Sequence, residues 1–586
     1  MHLTSLDWVI VVASIVISFS PAVWLARRAG SSTAEFFASG RAAPWWLIGV
    51  SMVATTFSTD TPNLVTNLVR EGGVAANWVW WAFLLTGMTT VFFYARLWRR
   101  LGVLTDLEFY ELRYSGRAAS IVRGFRAVYL GLFFNAIIMA TVTLAAAKIA
   151  NVLLGWSLMT TLVVCGLINV AFAATSGLWG VLVTDFLQFG IAMTGSIAAA
   201  VYAVRRPEVG GLGGLFSRTG PLMLGLLPDW SRSSAVVSIF IVPLTVQWWA
   251  TWYPGSEPGG GSYIAQRMLA ARSERDALGG TLFFNIAHYA MRPWPWILVA
   301  LSSMLVFPEV ADIKRALPYV DDALLGQDMA YSAMLTFLPA GLMGVMVAGL
   351  LAAYVSTMST HLNWGTSYLV HDFYRRFLNP GADERHYVWT GRLVTGLLMV
   401  VAGLVTTVLG SARRSFDLML SVGAGTGLLY LLRWFWWRIN AWSEIAAMAS
   451  SFLLAVAFAV AASRGVVWPT DVTLLVTVAV TTVVWMSVAW LTAPTDPRVL
   501  ERFYRLVRPA GPGWRTVRRA CGGLAPIDPL GTAFAAWCAG CVLVYCLLFG
   551  TGHVLMGHHA AAAVCSAGAL LSGVVLMRLW TRLWAA

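Results

Sequence analysis

About fifteen apolar runs of roughly 20 residues follow one another along this chain, and no other feature limits its fold as strongly. They fall at roughly 7–26, 44–69, 76–98, 120–153, 157–175, 178–204, 233–252, 279–307, 338–372, 388–410, 413–436, 441–463, 470–493, 530–550 and 560–583. Hydrocarbon offers backbone N–H and C=O groups no partner, so runs of this length must satisfy themselves as helices. With 58% hydrophobic residues, 11% charged residues, 29 Trp and a mean hydropathy of +0.71, no soluble reading competes. The expected class is an all-α polytopic membrane protein.

A net charge of +13 raises the question of a nucleic-acid partner, which the location of the charge answers. With the N-terminus outside, most of the 40 Lys and Arg fall in inner connections, among them RRLGVLTDLEFYELRYSGR and DPRVLERFYRLVRPAGPGWRTVRR. That is the positive-inside asymmetry, so the charge orients the protein in the inner (plasma) membrane, C-terminus cytoplasmic, and implies no nucleic acid. The first run has no positive n-region and no small-residue cleavage site, and reads as an uncleaved span. Cys538 and Cys541, in CAGC, sit in an apolar span and read as inert thiols; His553, His558 and His559 read as an outer loop.

Polar interruptions carry the functional information. Leu338 to Val355 is apolar, and then Ser356, Thr357, Ser359, Thr360, His361 and Asn363 follow. Two readings stand: hydroxyls one turn beyond the Ala353 carbonyl supply hard oxygen donors for a small alkali cation, or they bond back to the preceding turn and glue helices together. The second span repeats the pattern, turning polar after Ala54 with Thr55, Thr56, Phe57, Ser58, Thr59, Asp60, Thr61 and Pro62. Pro62 predicts an interrupted helix with carbonyls freed at Ala54 and Phe57; Asp60 either faces a cavity or caps a local turn.

Asp185 in TSGLWGVLVTDFLQFGIAMTG needs a partner, and a nearby cation would be one. Trp78, Trp80 and Trp81 form either an interfacial belt or a cavity wall, Lys148 snorkels, and His288, Arg292 and Asp417 are further polar positions at membrane depth. Span 233–252, with Pro243, is a second interrupted helix in the matching place of a second five-helix half, a pattern expected of inverted repeats. The glycine-rich stretch 252–277 reads as a flexible inner gate, because no βα unit exists here to make it a phosphate cradle.

With these residues in view, the chain resembles the sodium/solute symporter family over roughly residues 5 to 445. GRAAPWWLIGVSMVATTFSTD is similar to that family's first core helix, SGLWGVLVTDFLQFG to its fifth, QRMLAARS at Gln266 to Ser273 to its inner-loop signature, and AAYVSTMSTHLNWGTSYLVHDFYRR to its eighth. The resemblance implies a LeuT-like 5+5 inverted-repeat core with one preceding and about four following helices. The corresponding division is 1–43, 44–204, 205–440 and 441–586, the last with a basic loop at 494–529. It further implies a sodium site of the Ala54, Phe57 and Ala353 carbonyls with the Ser356 and Thr357 hydroxyls, Asp185 nearby, and sodium as coupling ion without any cofactor.

The sugar-transporting branch of that family differs at the solute positions. Thr56, Trp80, Gly261, Ser262 and Met419 stand where that branch carries Asn, Glu, an Asn-Gln pair and Gln, so the paired donors and acceptors a sugar needs are missing. Thr56, Asp60, Thr61, Trp80, Trp81, Gln247, Trp248, Trp252 and Met419 are the expected lining of an aromatic-walled cavity for a flat, amine-bearing or aromatic solute. The expected function is sodium-coupled import of a small organic solute, not enzymatic. Its rivals are a proton-coupled transporter using Asp60 or His361 and a transporter-like sensor.

Overall fold

The computed structural model describes residues 3–29, 32–253, 255–409 and 412–583. Among the described residues the architecture is all-α, with two isolated backbone bridges, Ala43 to Ala271 and Thr251 to Ala424, in place of any sheet. In chain order the principal helices are α1 (Ser5–Ala29), α2 (Trp45–Thr56), α3 (Asp60–Gly72), α4 (Val74–Leu101), α5 (Gly116–Leu154), α6 (Leu158–Ala173) and α7 (Gly177–Val204). They continue with α8 (Ser233–Ala250), α9 (Ser262–Ala270), α10 (Glu274–Val306), α11 (Leu342–Leu378), α12 (Glu384–Thr406), α13 (Ala412–Gly423) and α14 (Gly427–Leu432). The last four are α15 (Ala441–Ser463), α16 (Thr470–Leu491), α17 (Leu530–Leu555) and α18 (His559–Leu583).

Among the described residues ten helices are long and apolar enough to cross a bilayer, and an eleventh results if α10 is joined to Val310–Ala316, bent from it by 80°. Fifteen were expected. The difference is one of length: the apolar parts of α1 (Ser5–Pro21), α2 and α6 are short, and the run at 413–436 is cut into α13 and α14 where Gly425 takes φ +80°.

The break in the second run falls at Phe57, three residues before the α3 helix begins, and not at Pro62. The Thr55 hydroxyl bonds back to the Ser51 carbonyl and the Thr56 hydroxyl to the Val53 carbonyl. Phe57 then leaves helical geometry at ψ 72°. Pro62 occupies the first turn of α3, where a missing N–H removes no hydrogen bond. The second break is also displaced. Pro243 is absorbed in wide π-type turns over Val237–Ile241 and Pro243–Gln247, and the helix runs on to Ala250.

After α8 the chain is non-helical over the described residues between Thr251 and Gly261, a stretch the sequence suggested was part of a flexible gate. Most of it is buried: Gly255, Gly259 and Gly260 adopt φ near +80°, and the Trp98 indole donates to the Gly259 carbonyl at 2.7 Å. It leads into α9, every residue of which is buried. Its glycines meet the turn geometry and allow close packing against Tyr94 and Trp98.

Packing corrects one further expectation. Lys148 does not snorkel; it is buried and pairs with Asp328 at 2.7 Å. The C-terminal helices form two antiparallel hairpins, α15 with α16 and α17 with α18. The second lies against the core, with the Trp294 indole donating to the Leu548 carbonyl at 2.8 Å and the Tyr545 hydroxyl to the Trp81 carbonyl at 3.1 Å.

Candidate functional site

Where α2 ends, α7 and α11 pass beside it and bring the expected ion residues together. Ala54, Phe57, Asp185, Ala353, Ser356 and Thr357 are all buried. The Thr357 hydroxyl donates to the Thr55 carbonyl at 2.7 Å, across to α2, and lies 3.0 Å from the Ala353 carbonyl in its own helix. The Ser356 hydroxyl donates to Oδ1 of Asp185 at 2.6 Å, and Ser51 from α2 donates to Oδ2 at 2.5 Å. Arg267 from α9 reaches the same cluster, 3.3 Å from Ser51 Oγ and 2.6 Å from Thr360 Oγ1. The guanidinium balances the carboxylate through Ser51. Hydroxyl and carbonyl oxygens from two helices beside a carboxylate form a donor set suited to a hard monovalent cation.

Next to this cluster lies a cavity of about 100 Å³, with Thr55 and Thr357 in its wall. Of the expected solute positions, Thr56, Asp60, Thr61, Trp80 and Met419 line it. Four do not. Trp81 is fully buried one helical step from Trp80, edge-on to Trp78 and Phe549. Gln247 turns away to donate to the Val79 carbonyl, Trp248 packs on Trp537, and Trp252 packs edge-on to Phe134. The reason is the displaced break: the chain beyond α8 faces the cavity with Tyr253, Gly255 and Ser256, and the end of α8 does not.

The cavity gains a basic wall from α10. Arg292 and His288, four residues apart and so on one helical face, both line it. An Arg292 amino group lies 2.7 Å from His288 Nδ1, and the other donates to Thr56 Oγ1 at 3.1 Å. The signal was present in the sequence as two basic residues at helical spacing in an apolar run. Tyr253, Tyr263 and Tyr289 had no such signal. His361, named above as a candidate for proton coupling, lines the cavity as well, its Nδ1 2.7 Å from Asn135 Oδ1.

The connection between α4 and α5, together with the start of α5, is tied to the end of α11 by charge. Arg123 pairs with Glu111 at 2.6 Å and with Asp372 at 2.7 Å, and Arg376 pairs with Glu111 at 3.0 Å. Burial raises the Glu108 carboxyl, but the His371 ring at 3.2 Å and the charge of Arg123 outweigh it and bring the group down to about 2. Asp106, in the same connection, is pushed up to about 6 by burial despite its hydrogen bond from Tyr368.

The whole arrangement, broken helices meeting at mid-bundle around an oxygen-lined cluster and an adjoining cavity, defines a helical membrane transporter. The family model for the sodium:solute symporter family matches residues 36–453. The chain belongs to that family: it is a sodium-coupled solute symporter, a transporter and not an enzyme. It is 24% identical over 472 residues to the sodium/glucose cotransporter of Vibrio parahaemolyticus, covering 77% of this chain and 84% of that protein. It is likewise 24% identical to the sodium/mannose cotransporter of Bos taurus, covering 75% and 76%. The solved structure of a Na⁺-coupled sialic acid symporter in an outward-open, substrate-bound state superposes with a TM-score of 0.65 at 17% identity, covering 84% of this chain and 99% of that one. Its likeness is one of fold, and the fold is LeuT-like.

Proposed function

We propose that this chain imports a small organic solute together with sodium by alternating access, with the N-terminus outside, the C-terminus cytoplasmic, and the protein resident in the plasma membrane. The sodium ligands are the carbonyls of Ala54, Phe57 and Ala353 and the hydroxyls of Ser356 and Thr357, with Asp185 holding Ser356 in place. One observation carries the reading: the Thr357 hydroxyl already bridges α11 to the Thr55 carbonyl at the break of α2, and both residues also wall the cavity. An ion binding between α2 and α11 therefore stiffens the wall that the solute touches. Each ligand then favours the same conformation, which is what coupling requires.

The breaks at Phe57–Thr59 and Thr251–Gly261 support two five-helix repeats, 44–204 and 205–440, whose half-helices meet at the site. In energy terms, one sodium ion crossing ~100 mV yields about 2.3 kcal/mol and a tenfold gradient about 1.4 kcal/mol more. Together these sustain accumulation of a neutral solute of roughly a few hundredfold.

The test is a thermal-shift screen of the purified protein against a metabolite library with sodium or choline as the cation. Compounds that stabilise only with sodium are the expected result. Uptake into proteoliposomes driven by a pH gradient without sodium overturns the reading in favour of proton coupling through Asp60 or His361.

A further inference from the structure

We infer that the transported solute is a small zwitterion, an α-amino acid or a molecule of like charge pattern, whose carboxylate sits on Arg292 and whose ammonium sits at Asp60. The inference rests on the cavity being the solute site proposed above.

Arg292 is 1% exposed, yet every hydrogen bond it makes goes to a neutral group: the Thr56 hydroxyl at 3.1 Å, and the ring and carbonyl of His288 at 2.7 and 3.3 Å. Among the described residues no carboxylate lies within 4.0 Å of it. Asp60, from a different helix, lines the same cavity, accepts from Ser58, and likewise has no cation within that distance. A buried charge is tolerated when it is paired, and removing one partner of a buried pair is strongly unfavourable. Here two opposite charges open onto one cavity and act on each other across it, with no ion pair within 4.0 Å joining them. A solute carrying both charges pairs each of them; a neutral sugar pairs neither, and a simple amine or a simple carboxylate leaves one unpaired.

Size and lining agree. A cavity of about 100 Å³ admits a small solute. Trp80 stacks on Tyr289 with ring centroids 5.8 Å apart, and Tyr253 and Phe83 stack at 5.6 Å. Their faces suit an ammonium group and an aliphatic side chain. The cation was not part of the sequence expectation of an amine-bearing or aromatic solute; it adds a carboxylate to the recognition.

The experiment titrates the purified full-length protein with L-alanine, L-serine and L-proline, with ethylamine, ethanolamine and pyrrolidine as their carboxylate-free counterparts, with propionate, and with D-glucose, each in sodium chloride and in choline chloride. Binding is read by calorimetry and thermal shift. Sodium-dependent binding of at least one zwitterion, with none by the single-charge compounds, is expected. Arg292→Gln and Asp60→Asn should each weaken it by about 30-fold or more, and Arg292→Lys by less than Arg292→Gln. The compound panel decides the matter on the unaltered protein even where a variant does not fold. Glucose or a single-charge compound binding as tightly as the zwitterions, or no zwitterion binding at all, overturns the inference. If hexose binding is the sodium-dependent one, sodium symport stands and the zwitterion falls; if a zwitterion binds equally in choline, the zwitterion stands and sodium coupling falls.

Discussion

The Ser356 hydroxyl donates to Oδ1 of Asp185 at 2.6 Å, tying α11 to α7 beside the break that ends α2. Its neighbour Thr357 makes the corresponding tie to α2 itself. The two hydroxyls therefore hold three helices at one point, and an ion placed there is sensed by all three.

Replacing both, Ser356→Ala with Thr357→Ala, should raise the sodium concentration needed for half-maximal uptake by about tenfold or more while the protein remains folded. Sodium-dependence curves in proteoliposomes, with a cooperative melting transition as the fold control, check this. An unchanged curve counts against the ion assignment.

The Lys148–Asp328 pair is buried on both sides. Lys148→Met strands a carboxylate in the interior and should lower stability by about 3–5 kcal/mol, whereas adding Asp328→Leu should recover most of the loss. A double-mutant cycle on melting temperatures measures the coupling.

Glu108 has a folded-state pKa depressed to about 2 from its ordinary value of 4.5. A depressed carboxylate contributes stability that is fully present above its unfolded value and is lost as pH falls through the folded one. The difference in melting temperature between the parent and Glu108→Gln should be greatest above pH 4.5 and shrink as pH falls toward 2. A difference that stays constant with pH in that window would contradict the assignment.

Close approach of α2 and α10 depends on glycine. A methyl group at Gly49 would stand 2.8 Å from the Gly280 carbonyl oxygen, which is backbone and cannot step aside. Gly49→Ala should cost about 1–3 kcal/mol and lower transport with it, since α2 carries the proposed ion ligands at its far end. Thermal melting and sodium-driven uptake of the same variant give both readings.

Much of the proposed ion site is legible because its chemistry is written in neighbouring residues. Hydroxyls at Ser356 and Thr357, an isolated Asp185 and a polar turn after Ala54 stand out against apolar sequence, since a polar group at membrane depth needs a partner. The cavity proposed for the solute was half legible. Trp80 and Trp81 are adjacent and indistinguishable by composition, yet one lines the cavity and the other is sealed behind it. Gln247 and Trp248 are expected in the cavity from the sequence, but wide turns carry α8 on to Ala250, Gln247 donates to the Val79 carbonyl and Trp248 packs on Trp537.

The sequence alone determined that the chain crosses the membrane many times, that it is helical, which family it resembles and which oxygen atoms are available to an ion. These follow from hydropathy and from short motifs, which are properties of consecutive residues. Only the tertiary structure decided that Arg292 and His288 meet Thr56, that Asp60 opens onto the same cavity, that Lys148 is paired rather than snorkelling, and that 251–261 is core. Those facts depend on which faces of distant helices are turned toward one another. Local bends of a single residue, at Phe57, Gly177 and Gly425, set those faces while leaving the hydropathy pattern unchanged.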